Sequence, residues 1–210
     1  MPPVRPVKPH PDSPRLTTAI EAARGRAGGW SGTMYRSATP RYAGSADVTS
    51  GFGARKHGGR WNPPGPFAAV YGSSSPETAL AESLANFRYY GIPVADALPR
   101  SILALSVRLD RMLDLTDPKV RSPLRVTRRA MRQERWREAQ DRGEEALTQA
   151  IGRAAFDAGF DGLRAPSAAD AAGWNLVVFP LRAGKDAIRL QDGVQDGGSR
   201  ELPTTGKGQS

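Results

Sequence analysis

The stretch from Gly51 to Pro64, GFGARKHGGRWNPP, restricts the fold of this chain more than any other. Four glycines and two closing prolines make it too costly to hold in a regular helix, so it cannot be ordinary helix. Glycine-rich backbone can approach a phosphate closely and aim its N–H groups at it, and Arg55, Lys56 and Arg60 would add charge. The run is therefore a candidate anion cradle. Its spacing matches neither familiar nucleotide loop: no Gly-Lys-Ser/Thr follows, and Lys56 stands where a dinucleotide fingerprint would place its third glycine. As a bare loop it reads first as a structural turn with solvated cations.

Composition narrows the classes. The 210 residues suffice for one sizeable core. No segment approaches the ~20 continuous apolar residues of a membrane span, and Met1 to Arg15 lacks the apolar run of a secretory signal. With no cysteine, the chain can form no disulfide framework, zinc-thiolate site or thiol nucleophile. His10 and His57 are too few for an imidazole-rich metal site, so a cytoplasmic protein with neither metal nor cofactor is expected. The net charge of +9 rests on arginine, with only five lysines, and suits phosphate-bearing or acidic partners without selecting among them. Residues 121–142 hold eight arginines against Glu134, Glu138 and Asp141, a local excess of five.

Along the chain, the proline-crowded residues 1–15 read as a disordered leader, residues 16–190 as the folded domain, and residues 191–210 as a flexible tail. Within the domain, Phe67–Tyr71, Ile102–Val107 and Leu176–Leu181 read as strands. Ser75 caps a helix opened by Pro76, with Leu80, Leu84 and Phe87 as its apolar stripe; Leu124–Gln140 and Glu144–Ala158 read as helices broken at Gly143. Strands and helices mix without regular alternation, which predicts a single α+β domain.

Taken one at a time, the candidate residues invite bland readings. Glu82 lies about 200° around the helix from Leu80 and so reads as solvent-facing. Tyr71 reads as a core aromatic, Ser167 as a turn residue and His57 as an exposed loop histidine. Their order changes this. Tyr35-Arg36, Gly58-Gly59-Arg60-Trp61-Asn62-Pro63, Ala69-Val70-Tyr71, the Glu77–Glu82 run ETALAE, Ala165-Pro166-Ser167 and Asn175–Phe179 together resemble the RES-domain family, over roughly Met34 to Arg189. Ser37 stands where some relatives carry a second tyrosine, so any ring stacking there is lost.

The resemblance implies an ADP-ribosyltransferase-like split mixed and antiparallel β core with flanking helices, in a bacterial toxin that destroys NAD+. It implies neutralisation by a Xre/ParS-type antitoxin, through which alone nucleic acid would be met. The family's arginines fall on Arg36 and Arg60, its tyrosine on Tyr71, its glutamate on Glu82 and its serine on Ser167. Cleaving the nicotinamide–ribose bond needs no strong nucleophile, because nicotinamide leaves from a cationic state and positive charge builds on the sugar. Glu82 would stabilise that charge, Arg36 and Arg60 would grip the pyrophosphate, Tyr71 would flank the nicotinamide, and Ser167 and Asn175 would supply neutral hydrogen bonds. Phosphate or water could be the acceptor. Two other readings are transfer of ADP-ribose to a macromolecule and a nucleic-acid-binding module built on residues 121–142.

Overall fold

The computed structural model of the chain describes residues 7–191. In chain order it runs α1 (Ser13–Ala22), β1 (Gly28–Ala38), α2 (Ser45–Ser50), α3 (Phe52–His57), β2 (Val70–Ser73), α4 (Pro76–Tyr89), α5 (Val94–Ala97) and β3 (Ser101–Asp114). It continues with α6 (Pro118–Leu124), α7 (Arg128–Gln133), α8 (Trp136–Asp141), α9 (Leu147–Asp157), β4 (Gly162–Pro166), β5 (Trp174–Val178), α10 (Pro180–Ala183) and β6 (Ile188–Leu190). The expected α+β class holds.

One mixed sheet carries all six strands. The long strands β1 and β3 pair antiparallel along most of their length, with β6 on the outer edge of β3. Beyond that pairing, the end of β3 turns to run parallel to β4 at Met112–Asp114. Strand β4 pairs antiparallel with β5, β5 with β2, and β2 returns to β1 through Tyr35 and Ser73. The result is a split core: one half is β6–β3–β1, the other β2–β5–β4, and the halves meet where the end of β3 pairs with β4 and where β1 pairs with β2 at Tyr35. Strand β5 shows the alternation that makes such a sheet two-sided, since Val177 packs in one apolar cluster while Leu176 and Val178 pack in the other.

Helix α9 anchors the first cluster and is buried along most of its length, a position its small residues permit. A Cβ on Gly152 would overlap the carbonyl of Trp61, so helix backbone lies directly on the loop that follows α3. Trp61 and Phe67 from that loop are fully buried beside it. Helix α1 lies over α9, where the buried Glu145 accepts from Arg153 Nε at 2.6 Å and from His10 N at 3.1 Å.

Several expectations change. Residues 1–15 read as a disordered leader, yet within the described part of that segment Lys8 N donates to Gly143 O at 2.8 Å and α1 begins at Ser13. Backbone pairing and Leu16 and Ile20, rather than local apolar content, fix this segment. Residues 1–6 and 192–210, including nearly all of the expected tail, lie outside the described residues. The single helix expected over Leu124–Gln140 is two short ones, because Arg125 takes a left-handed turn and Glu134 is extended. The Gly51–Pro64 run does contain one short helix, α3, bounded by Gly51 and Gly58, both at positive φ. The strand expected at Phe67–Tyr71 starts only at Val70, and β5 ends at Val178 because Pro180 opens a one-turn helix. Strands β1, β4 and β6 were not foreseen.

Candidate active site

The cleft lies where β1, β2 and β5 face α4, with α7 and α8 closing the far side. Its volume is about 590 Å³. Arg36, Arg60, Tyr71, Glu82 and Asn175 all line it, so five of the six residues singled out from the sequence share one space. Ser167 is fully buried behind it.

Helix α4 delivers the carboxylate. Ser75 caps it by accepting from Thr78 N at 3.1 Å, and Pro76 occupies the first turn, as the sequence indicates. The sheet-facing flank, however, is Thr78 and Ala79, while Leu80, Leu84 and Phe87 are only half-buried. Glu82 follows Ala79 by three residues, and Ala79, Glu82, Ser83 and Asn86 form one helical stripe along the cleft. Glu82, which helix periodicity alone would send to solvent, is thus turned inward, because the helix docks through small and polar residues rather than through its leucines.

Glu82 is held by one oxygen. Its Oε1 accepts from Ser167 Oγ at 2.6 Å, Asn175 Nδ2 at 2.7 Å, Ala168 N at 3.0 Å and Ala169 N at 3.3 Å. Among the described residues Oε2 accepts no hydrogen bond, so one oxygen orients the group and the other is left to face the cleft. The supports are themselves fixed. Ser73 Oγ donates to Asn175 Oδ1 at 2.8 Å across the β2–β5 pairing, which sets the amide with its N–H groups toward Glu82. Ser167 Oγ accepts from Asp170 N at 2.9 Å, tying the turn after β4, while Thr78 Oγ1 donates to Asp170 Oδ2 at 2.6 Å and fastens that turn to α4. Ser167 and Asn175 therefore act on Glu82, not as a pair of donors displayed to a ligand. Ser73 was missed by sequence reasoning; only its register opposite Asn175 identifies it.

The two expected arginines hang from main-chain carbonyls. Arg36 Nη1 donates to Tyr71 O at 2.8 Å, and Arg60 Nη1 donates to Met131 O at 2.9 Å and Glu134 O at 3.1 Å. Burial pulls both guanidiniums below the ordinary arginine range, more strongly than Glu82 raises Arg60. Arg60 projects from a tight turn in which Gly59 and Asn62 exchange backbone hydrogen bonds. Tyr71 secures the turn: its hydroxyl donates to Asn62 Oδ1 at 2.7 Å and accepts from Trp61 N at 3.0 Å. Burial pushes the phenol far above its usual range. A Cβ on Gly59 would press on that hydroxyl, which explains the glycine. Of the other cations in the glycine-rich run, Arg55 and Lys56 are exposed and off the cleft, and exposed His57 ends α3.

Residues the sequence reading set apart from the site also enter it. Arg132, Trp136 and Arg137 line the cleft, although the sequence reading used residues 121–142 for a nucleic-acid-binding alternative. Other arginines of that segment do stay at the surface, Arg135 against Glu138 and Arg142 against Glu144, while Arg121 donates to the carbonyls of Leu115 and Thr116. The segment therefore offers no continuous basic helix of the kind a nucleic-acid reader would use.

Among the described residues no group of three or more His, Asp or Glu side chains converges as a metal site, and no helix is long and apolar enough to cross a membrane. A family model described as the RES domain matches residues 33–197. The chain is 28% identical over 173 residues to the NAD(+) phosphorylase MbcT of Mycobacterium bovis and to that of Mycobacterium tuberculosis, covering 79% of this chain and 82% of each relative. Its fold is similar to the crystal structure of the M. tuberculosis MbcT–MbcA toxin–antitoxin complex, with a TM-score of 0.66 and 26% identity over 85% of this chain and 90% of the other.

Proposed function

The chain belongs to the RES domain family, and from that membership and the cleft we propose that it cleaves the nicotinamide–ribose bond of NAD+, passing ADP-ribose to phosphate or water. The observation that carries this reading is the single carboxylate, clamped through Oε1 with Oε2 facing the cleft, among guanidiniums in one space. As nicotinamide departs, positive charge develops on the ribose, and a fixed carboxylate oxygen facing it stabilises the transition state more than the ground state. Oε2 of Glu82 takes that place and accepts from a ribose hydroxyl. Because its orientation is set beforehand, the carboxylate need not reorganise during the reaction. Arg36 and Arg60 hold the pyrophosphate with the N–H groups not committed to carbonyls. Tyr71 contributes its ring to the wall; its hydroxyl is occupied by the Arg60 turn.

Phosphate is the favoured acceptor, supported by the similarity to relatives named NAD(+) phosphorylase. The same similarity, and the likeness to a toxin taken with its antitoxin, support a toxin restrained by a protein antitoxin; the Xre/ParS type of that antitoxin and the cytoplasmic site of action are carried over from the family resemblance. The test is to incubate the purified chain with NAD+ with and without inorganic phosphate and resolve the products. Nicotinamide together with ADP-ribose 1″-phosphate is expected, and ADP-ribose when phosphate is withheld. Undiminished NAD+ in both conditions, or label retained on protein or nucleic acid, would overturn the reading.

A further inference from the structure

Four guanidiniums, those of Arg36, Arg60, Arg132 and Arg137, line the cleft, with Glu82 as the carboxylate among its lining residues. Two further carboxylates act on this set from its margin, Asp170 near Arg132 and Glu134 near Arg60. NAD+ brings two anionic phosphates against one cationic ring, and guanidiniums spread over β1, the Arg60 turn, α7 and α8 offer contacts for a second anion apart from the pyrophosphate.

Hydrogen bonding indicates where it belongs. Four buried side-chain polar atoms lack a partner among the described residues, and three of them are Nε atoms of cleft arginines: Arg36, Arg132 and Arg137. A buried guanidinium N–H with no acceptor is costly and rare; these Nε atoms are shut off from the cleft, so an oxyanion there meets the Nη groups of Arg132 and Arg137, which are not so buried. Arg137 is the best placed of these beside Glu82. Its Nη2 donates to Asn86 Oδ1 at 2.6 Å, and Asn86 lies one helical turn beyond Glu82 on the same stripe of α4. Its guanidinium carbon sits 4.3 Å from the Trp136 ring centroid and 4.9 Å from that of Tyr89, so the planar fork is held in place before any ligand arrives. Arg132 approaches from α7.

Resting on the reading that the cleft takes NAD+, we propose that Arg137, seconded by Arg132, forms a subsite beside Glu82 for a phosphate dianion distinct from the pyrophosphate. Two sources share this chemistry: free inorganic phosphate acting as the acceptor, and the ribose 2′-phosphate of NADP+. At that position free phosphate would direct an oxygen at the ribose carbon as the bond to nicotinamide breaks. That oxygen forms the new C–O bond, and nicotinamide leaves with the bonding electron pair, neutral.

The test uses Arg137→Gln and Arg132→Gln in the full chain, with initial rates measured while phosphate, NAD+ and NADP+ are varied in turn. A KM for phosphate raised at least about tenfold, as expected for losing a charge-assisted contact, with the KM for NAD+ moving much less, supports the subsite and identifies free phosphate. A rise confined to NADP+ supports it and identifies the 2′-phosphate. A rise in the KM for NAD+ with that for phosphate unchanged, or no change in any of the three, overturns it. Should the glutamine variants unfold, Arg137→Lys keeps the charge but not the fork, and only a partial loss of phosphate affinity is compatible with the proposal. Calorimetric titration with inorganic phosphate alone separates the two claims. Saturable binding that Arg137→Gln abolishes, in a protein that leaves NAD+ intact, would remove the proposed function and keep the subsite. NAD+ cleavage with every kinetic parameter indifferent to residues 132 and 137 would do the reverse.

Discussion

Glu82→Gln isolates the part of Glu82 that faces the cleft. Four donors converge on Oε1, from Ser167, Asn175, Ala168 and Ala169. A glutamine there can satisfy them only by putting its amide oxygen in the Oε1 position, which forces its NH2 group toward the cleft. The substitution thus keeps the clamp and converts the outward atom from an acceptor to a donor. Within the clamp, charge-assisted bonds become neutral ones, an expected loss of about 1–2 kcal/mol, corresponding to a Tm lowered by about 2–8 °C for a chain of this size. At the ribose, losing a preorganised group aimed at developing charge costs roughly 3–4 kcal/mol, or about 10²–10³-fold in kcat. Glu82→Ala is the contrast. It strips the acceptor from all four donors, so it is expected to lose more stability than Glu82→Gln, at about 1–3 kcal/mol for each donor left dry. The assay is NAD+ consumption by chromatography, beside thermal unfolding of each variant. If folded Glu82→Gln consumes NAD+ at a rate close to that of the unsubstituted chain, the assignment of Oε2 fails. If it is no more stable than Glu82→Ala, the clamp reasoning fails.

Two further expectations concern the scaffold. Glu145 is 3% exposed in its side chain and paired with Arg153, so Glu145→Ala should cost about 2–3 kcal/mol by removing the charge-assisted acceptor of Arg153 and leaving it Asp157 at 3.9 Å, read as a lower Tm with activity per folded molecule retained. Asp114 pairs with Arg164 at the junction of β3 and β4; burial alone would raise its carboxyl, but donation from Arg164 and Thr116 outweighs this and holds it below the ordinary value of 3.8. A carboxylate depressed in the folded state stabilises above its unfolded pKa and loses that contribution as pH falls through the folded one. The Tm difference between the unsubstituted chain and Asp114→Asn should therefore stay constant from pH 5 to 7 and shrink below about pH 4; a difference that grows in acid would contradict the pairing.

Where a signal was local, the sequence carried it. Ser75 and Pro76 mark the start of α4, and the apolar run that begins at Leu176 marks β5. Strand β1 was not legible, because Gly28, Gly29 and Gly32 weaken its own preference and it is held by ten residues of cross-strand pairing with β3. The convergence of Arg36, Arg60, Tyr71 and Glu82 came from their ordered motif, whereas periodicity alone sent Glu82 to solvent. Nothing local could reveal Arg132 and Arg137, since the breaks at Arg125 and Glu134 decide which arginines of residues 121–142 turn inward.

The manner in which Arg60 is moored bears on how such a site can diverge. Its anchors are the carbonyls of residues 131 and 134, groups that every amino acid brings. Substitution at either position can therefore leave these anchors in place, within the limits of packing at Met131 and of the Glu134 carboxylate, which accepts from Leu147 N and Thr148 N at the start of α9, and the guanidinium keeps its station so long as the path of the chain is preserved. The determinant is carried by the curve of the backbone, and residue-by-residue comparison of related chains would pass over it.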